Sequence, residues 1–222
     1  MSINKNKYQE IITELNGSAT LVAVSKTKPA EDILAMYDLG HRDFGENYVQ
    51  ELTQKQQLLP KDIRWHYIGH MQSNKVKYIA AFIHLIHGVD SFSLLKEINK
   101  QALKNNRIID CLLQVHIAKE ENKFGLDSFE LETIFNNNLL ELKNIRICGL
   151  MGMASFSTNM DLVSAEFKYL KSLFDTYAQR ATSNEQLSIL SMGMSADYKI
   201  ALEEGSNMIR IGSLLFGERN YS

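Results

Sequence analysis

Eight short runs rich in apolar and β-branched residues alternate with longer amphipathic segments along these 222 residues, and that alternation leaves few architectures open. The runs are TLVAVSK (20–26), RDFGE (42–46), RWHYIG (64–69), HLIHGVD (84–90), DCLLQVHIA (110–118), NIRICGLM (144–151), LSILSMG (187–193) and NMIRIGS (207–213). The second is short and polar, the weakest strand signal of the set. Helical patterns lie between them. In 161–180, Val163, Phe167, Leu170, Phe174 and Tyr177 form one stripe on a polar helix. SFSLLKEINKQALKN (91–105) opens on serine caps and repeats Leu94, Leu95, Ile98 and Ala102 at helical spacing. Tyr8, Ile11, Ile12 and Leu15 predict a further helix ahead of the first strand. Eight strands separated by helices predict an α/β fold, a closed (β/α)8 TIM barrel with an extra N-terminal helix. A doubly wound open sheet shares the alternation and is the competing architecture.

Nothing in the composition divides the chain. There is no low-complexity segment or Pro- or Gly-rich linker, and the two prolines, Pro29 and Pro60, fall between elements. We therefore expect one domain over 1–222, with ample core material at 45% hydrophobic and 23% charged residues. A net charge of −2 with mixed signs gives no support to a nucleic-acid-binding surface. No apolar run is long enough to span a bilayer, and MSINKNKYQEI lacks the apolar core of a signal peptide. A cytoplasmic protein without a membrane partner is the expectation. Cys111 and Cys148 sit in apolar runs and read as reduced core cysteines. A closed barrel needs no second copy, so a monomer is expected.

If the chain is a barrel, its chemistry collects at the C-terminal ends of the strands. Those ends read SKTKP, GENYVQE, IGHMQSNK, VDS, HIAKEENKFG, GLMGMAS, SMGMS and RIGS, richer in polar residues and glycine than the strands they follow. Lys26 shares strand parity with Val22 and Val24, so an inward Val24 implies an inward Lys26. From position alone two readings stand: a partly desolvated amine able to form an imine, or a lysine reaching out to solvent along its stem. SMGMS and RIGS end the last two strands, where barrels often build a phosphate cradle; Ser191, Gly193, Ser195, Gly212 and Ser213 supply its parts. The alternative is ordinary turn chemistry with Ser195 as a helix cap. Arg210, flanked by Ile209 and Ile211, needs an acceptor if buried: a ring nitrogen, a phosphate, or an acid in an ion pair.

QSNK (72–75) and GEN (45–47) offer pocket groups, or in the plainer reading a cap at Ser73 and a solvated acid at Glu46. The histidines do not assemble at metal-ligand spacing, and no metal is expected; His84 and His87 fall on opposite faces under strict alternation. His70 and His116 sit near strand ends. No Walker loop, dinucleotide fingerprint or nucleophile elbow is present.

Taken in order, AVSKTKP, FGENYVQE, WHYIGHMQSNK, GLMGMAS, LSMGMSADY and IRIGSLLFGER closely resemble the pyridoxal-phosphate homeostasis proteins. These are single-domain relatives of the alanine racemase N-terminal barrel, and the resemblance runs from about Leu21 to Arg219. It implies a (β/α)8 barrel that holds pyridoxal 5′-phosphate (PLP) covalently through an imine on Lys26. It places Ser191, Gly212 and Ser213 around the phosphate, with Met192, Gly193, Met194 and Ser195 shaping that loop. It places Arg210 at the pyridine nitrogen, and Asn47, Ser73, Asn74 and Met151 in the pocket. It implies a carrier or regulator of intracellular PLP (vitamin B6) whose partners are PLP and PLP-dependent apo-enzymes; the alternative is a weak racemase-like enzyme. The chain stops at Ser222, so the second β domain with the tyrosine that opposes the lysine in racemases is expected to be missing. Two residues depart from the family pattern: His70, where IGPLQSNK has proline, and His116, where asparagine is common.

Overall fold

The protein is described here from a computed structural model, which covers residues 3–119, 124–136, 139–180 and 185–217. All eight predicted runs form strands: β1 (Thr20–Val24), β2 (Asp43–Glu46), β3 (Arg64–Tyr67), β4 (Leu85–Val89), β5 (Ile109–Val115), β6 (Ile145–Gly152), β7 (Glu185–Ser191) and β8 (Met208–Ile211). They pair in parallel and in chain order around a closed barrel. Closure is made by β1 against β8, with Leu21 opposite Ile209, Val22 opposite Arg210 and Ala23 opposite Ile211. That junction removes both sheet edges and rules out the doubly wound alternative.

Helix α1 (Lys5–Leu15) precedes the barrel. Each strand is then followed by one helix: α2 (Ala30–Tyr37), α3 (Val49–Leu58), α4 (Val76–Ile79), α5 (Phe92–Lys104), α6 (Ser128–Asn136), α7 (Met160–Arg180), α8 (Tyr198–Glu203) and α9 (Ser213–Phe216). The predicted stripes face inward. Val163, Phe167, Leu170 and Tyr177 of α7 are buried, as are Leu94, Leu95, Ile98 and Ala102 of α5, whose N-cap Ser91 accepts the Leu94 N–H at 3.3 Å. Tyr8, Ile11 and Leu15 of α1 are buried too, but Ile12 lies at the edge of the stripe and is exposed.

Strand alternation splits the apolar residues into two bodies. Val22, Leu85, Leu112, Cys148, Met151 and Met208 pack inside the barrel. Their strand neighbours, such as Ala23, Phe44, Ile86, Leu113, Leu150 and Ile209, pack outward with helix residues such as Ile33, Leu52, Ile98 and Phe167. Full burial of Phe167 alone contributes about 2 to 3 kcal/mol. Both cysteines are free and buried, and burial pushes the Cys148 thiol up to about 11.

The polar second strand forms because its charges find partners on neighbouring elements. Asp43 Oδ1 accepts from Arg64 Nε of β3 at 2.7 Å, and Glu46 meets Lys55 of α3. The β6–β7 pair is tight at Gly149, beside a register shift, where an added Cβ would lie 1.7 Å from the Ile189 carbonyl oxygen. Gly149→Ala must therefore push β7 away from β6. We expect a loss of about 3 kcal/mol or more, measured as a fall in the urea unfolding midpoint.

Candidate functional site

Pairing of β1 is continued past its last residue by Ser25, whose N–H donates to Gly45 O at 3.0 Å. The chain then turns: Lys28 N–H closes on Ser25 O at 3.0 Å, with Lys26 and Thr27 at the corner. Thr27 has φ +62°, a left-handed conformation that a β-branched residue adopts only under constraint. The constraint is visible. Glu51 Oε1 of α3 accepts the Thr27 N–H at 2.6 Å, and Lys55 Nζ donates to Ser25 O at 2.7 Å.

Lys55 also donates to Glu51 Oε1 at 2.6 Å and to Glu46 Oε1 at 2.7 Å, and Ser25 Oγ donates to the same Glu46 oxygen at 2.6 Å. Glu46 is fully buried, so the solvated-acid reading does not hold. Alternation points it away from the barrel interior, into the layer under α3, where it braces the turn that carries Lys26. Burial raises its carboxyl to about 7 and the Lys55 ammonium opposes a larger rise; Oε2 has no hydrogen-bond partner among the described residues. This bracing pair is legible in sequence only as Glu51 and Lys55 one helical turn apart.

Lys26 lines a cavity of about 560 Å³ at the C-terminal mouth of the barrel. Val24, Asn47, Met194, Ser195, Arg210, Gly212 and Ser213 also line it. The remaining sequence candidates lie elsewhere. Met151 is in the interior apolar cluster, and Ser191 is fully buried beneath the cavity. Met192 is turned into the outer core. Gly193 packs against α8, where a Cβ would fall 2.6 Å from that of Ala201. Ser73 and Asn74 are exposed in a single 3-10 turn and line neither this cavity nor its neighbour. Ser195 does not cap α8. Asp197 takes that position, accepting from Met194 N at 2.5 Å, while Ser195 Oγ accepts from Gly212 N at 3.4 Å and ties the two strand-end loops together.

Arg210 is buried and spans the floor of this cavity. Nη1 donates to Ser191 Oγ at 2.6 Å and Nη2 to Gly152 O at 3.0 Å, both neutral oxygens rather than an acid. Loss of solvent lowers the guanidinium to about 10, against the attraction of Asp197, so it stays charged at neutral pH. Lys28 lines the same cavity, but its Nζ donates to Phe216 O at 2.8 Å and Gly217 O at 3.3 Å.

A second cavity of about 640 Å³, lined by Tyr48, Tyr67, His70 and Lys75 among others, shares Asn47 with the first. His70 therefore belongs to the neighbouring cavity; it pairs with Asp90 at 3.0 Å and stacks on Phe124. At the opposite end of the barrel, Asp43, His66 and His84 bring possible metal-ligand atoms within 4.8 Å of one another, a grouping that sequence spacing cannot reveal. Arg64 already holds the Asp43 carboxylate through two nitrogens. His84 and His87 both approach His66, with ring centroids 5.3 and 5.2 Å away, because His84 lies before the strand begins. Glu218 and Arg219 of the last motif, and residues 120–123 after β5, lie outside the described residues.

The chain matches the family described as alanine racemase, N-terminal domain, over residues 3–220. A pyridoxal phosphate homeostasis protein of Aquifex aeolicus is 42% identical over 204 residues, which is 91% of this chain and 88% of that protein. The pyridoxal phosphate homeostasis protein of Homo sapiens is 37% identical over 212 residues, 91% of this chain and 77% of the relative. The solved structure of PipY from Synechococcus elongatus PCC7942 with PLP bound superposes with a TM-score of 0.87 at 35% identity, covering 96% of this chain and 99% of that one. Alanine racemase from Bartonella henselae shares the fold, with a TM-score of 0.72 at 17% identity over 100% of this chain and 62% of its own.

The brace under Lys26 makes stability depend on pH. Between 4.5 and about 7 the unfolded chain has released the Glu46 proton while the folded chain still holds it, so the Glu46 contribution to stability falls as pH rises through this window. Asp43 acts outside that window. Burial alone would raise it, but hydrogen bonds from Arg64 and His66 outweigh that and hold it well below its ordinary 3.8. His41, His84 and His87, which burial lowers, add the opposite slope to both proteins, so the urea midpoint of the native protein is expected to fall relative to that of Glu46→Gln as pH rises across the window.

Proposed function

This chain belongs to the alanine racemase N-terminal-domain family, among the pyridoxal phosphate homeostasis proteins, and from that membership we propose that it holds PLP as a Schiff base on Lys26. Its role on this reading is that of a carrier or regulator in intracellular PLP homeostasis, acting as a single cytoplasmic domain and a monomer. PLP-dependent apo-enzymes are the recipients. The observation that carries the proposal is the meeting of Lys26, from the end of β1, with Arg210 of β8 and the Ser195, Gly212 and Ser213 loops on one cavity. The PLP bound in PipY supports it.

The residues present fit such a group. An amine, a guanidinium and hydroxyl-bearing glycine loops suit an anionic phosphate that carries an aldehyde. Asn47 Oδ1, on the cavity wall, is buried without a hydrogen-bond partner among the described residues and offers an acceptor to a bound hydroxyl or ring group. The cofactor supplies the aldehyde and an electron-withdrawing ring. Lys26 would hold the group through its amine, and the aldehyde would supply a carbonyl with which that amine condenses reversibly, with loss of water. Arg210 opposes protonation of a ring nitrogen facing it, since two positive charges would meet. That would weaken the ring as an electron sink without by itself separating a carrier from a racemase-like enzyme.

Adding PLP to the purified protein is expected to produce a visible imine absorbance that Lys26→Ala abolishes. Borohydride reduction followed by peptide mapping should label Lys26 and leave Lys28, two residues away, unmodified. A label on Lys28, or no imine with added PLP, would sink the reading. Exchange of amino-acid α-protons by the loaded protein would replace the carrier with a racemase-like enzyme.

A further inference from the structure

Below the cavity floor, a file of polar side chains runs through the barrel interior. Asp43 opens β2 at the N-terminal end, His66 and His87 lie in the middle of β3 and β4, and Ser191 ends β7. All are buried, His87 and Ser191 completely. His66 Nε2 lies 3.0 Å from Asp43 Oδ1, and His66 Nδ1 lies 2.9 Å from His87 Nε2. His87 Nδ1 lies 3.3 Å from Ser191 Oγ, which accepts from Arg210 Nη1 at 2.6 Å.

We propose that Asp43, His66, His87 and Ser191 form a hydrogen-bond chain of fixed direction that orients Arg210 at the cofactor, making them positioning residues that act through that arginine. The orientation toward the cofactor rests on the PLP reading; the chain itself does not.

The direction follows from the two ends. An ionised carboxylate can only accept, so His66 donates from Nε2, and in the neutral ring Nδ1 is left as the acceptor. His87 must then donate from Nε2 and accept at Nδ1. The hydrogen on Nδ1's side comes from the Ser191 hydroxyl, whose oxygen accepts from Arg210. The guanidinium at the far end can only donate, so the serine oxygen accepts from it and the hydroxyl hydrogen is available to His87 Nδ1. His66, His87 and Ser191 each donate once along the chain and accept once. A proton added to His66 would reverse the His87 and Ser191 links and leave the serine hydroxyl hydrogen without an acceptor in the chain. Burial itself keeps His87 neutral. With Gly152 O fixing the second nitrogen, the Arg210 plane is held from two directions.

Nitrogen NMR on protein with labelled histidines, PLP-free and PLP-loaded, tests this directly. Both His66 and His87 are expected as Nε2–H tautomers in either state. His66→Phe removes the acceptor for His87, which is expected to move its proton to Nδ1, and the visible band of the PLP-loaded protein is expected to shift. Ser191→Ala cuts the other end and should shift the band too; His66→Phe added to it should move the band no further. A native His87 already protonated on Nδ1, a folded His66→Phe protein with an unmoved band, or shifts that simply add would each overturn the proposal. Should His66→Phe not fold, the native tautomers and the displacement of the His87 Nδ1 resonance by Ser191→Ala still decide it. A native protein with no visible band sinks the PLP reading alone, because the tautomers are read without cofactor.

Discussion

A guanidinium sealed inside a barrel sets the terms for the groups around it. Removing such a charge from water costs several kcal/mol unless polar groups replace the solvent, and Arg210 receives two oxygens and the field of Asp197. This accounts for a lumen that is not uniformly aliphatic. Where a barrel of this kind is usually filled by Val, Ile and Leu, β3 and β4 contribute histidines and β7 a serine. The rest of the interior, Val22, Leu85, Leu112, Cys148, Met151 and Met208, supplies the dry wall that strengthens each of those contacts.

Two polar systems meet at the end of β1, on opposite sides of the sheet. Outside the barrel, Glu46, Glu51 and Lys55 hold the backbone of Ser25 and Thr27; inside it, Arg210 and Ser191 hold the floor. Alternation along single strands separates them, Glu46 facing α3 while its neighbour Gly45 faces Val22. The lysine is thereby aimed by groups that do not share its cavity.

Local pattern carried most of the architecture, because buried parallel strands and amphipathic helices announce themselves by period. Barrel closure was not local: no residue in TLVAV or MIRI marks that β1 and β8 will pair, so the open sheet remained possible until their register was seen. Parity aimed Lys26 toward the interior, yet the strand ends at Val24 and the lysine arrives through a turn with Thr27 at positive φ. For Glu46 the sequence leaves a pocket group and a solvated acid both open, because its partner lies on the following helix. Ser73 and Asn74 follow a strand as pocket residues do, but the loop carries them out to solvent. The Asp43–His66–His87 contacts join three strands, and pairings across strands leave no trace in spacing along one.

The pairing of β1 with β8 has a consequence for how the protein is made. The amine and the guanidinium that share the cavity belong to the first and last strands, and no smaller fragment of the barrel brings them together. Contacts so distant in sequence form late, after the intervening loops have lost their freedom. A nascent or truncated chain therefore has no place for the ligand. Ligand capture certifies a finished barrel, and capture in turn adds its binding free energy to the seam that closed last.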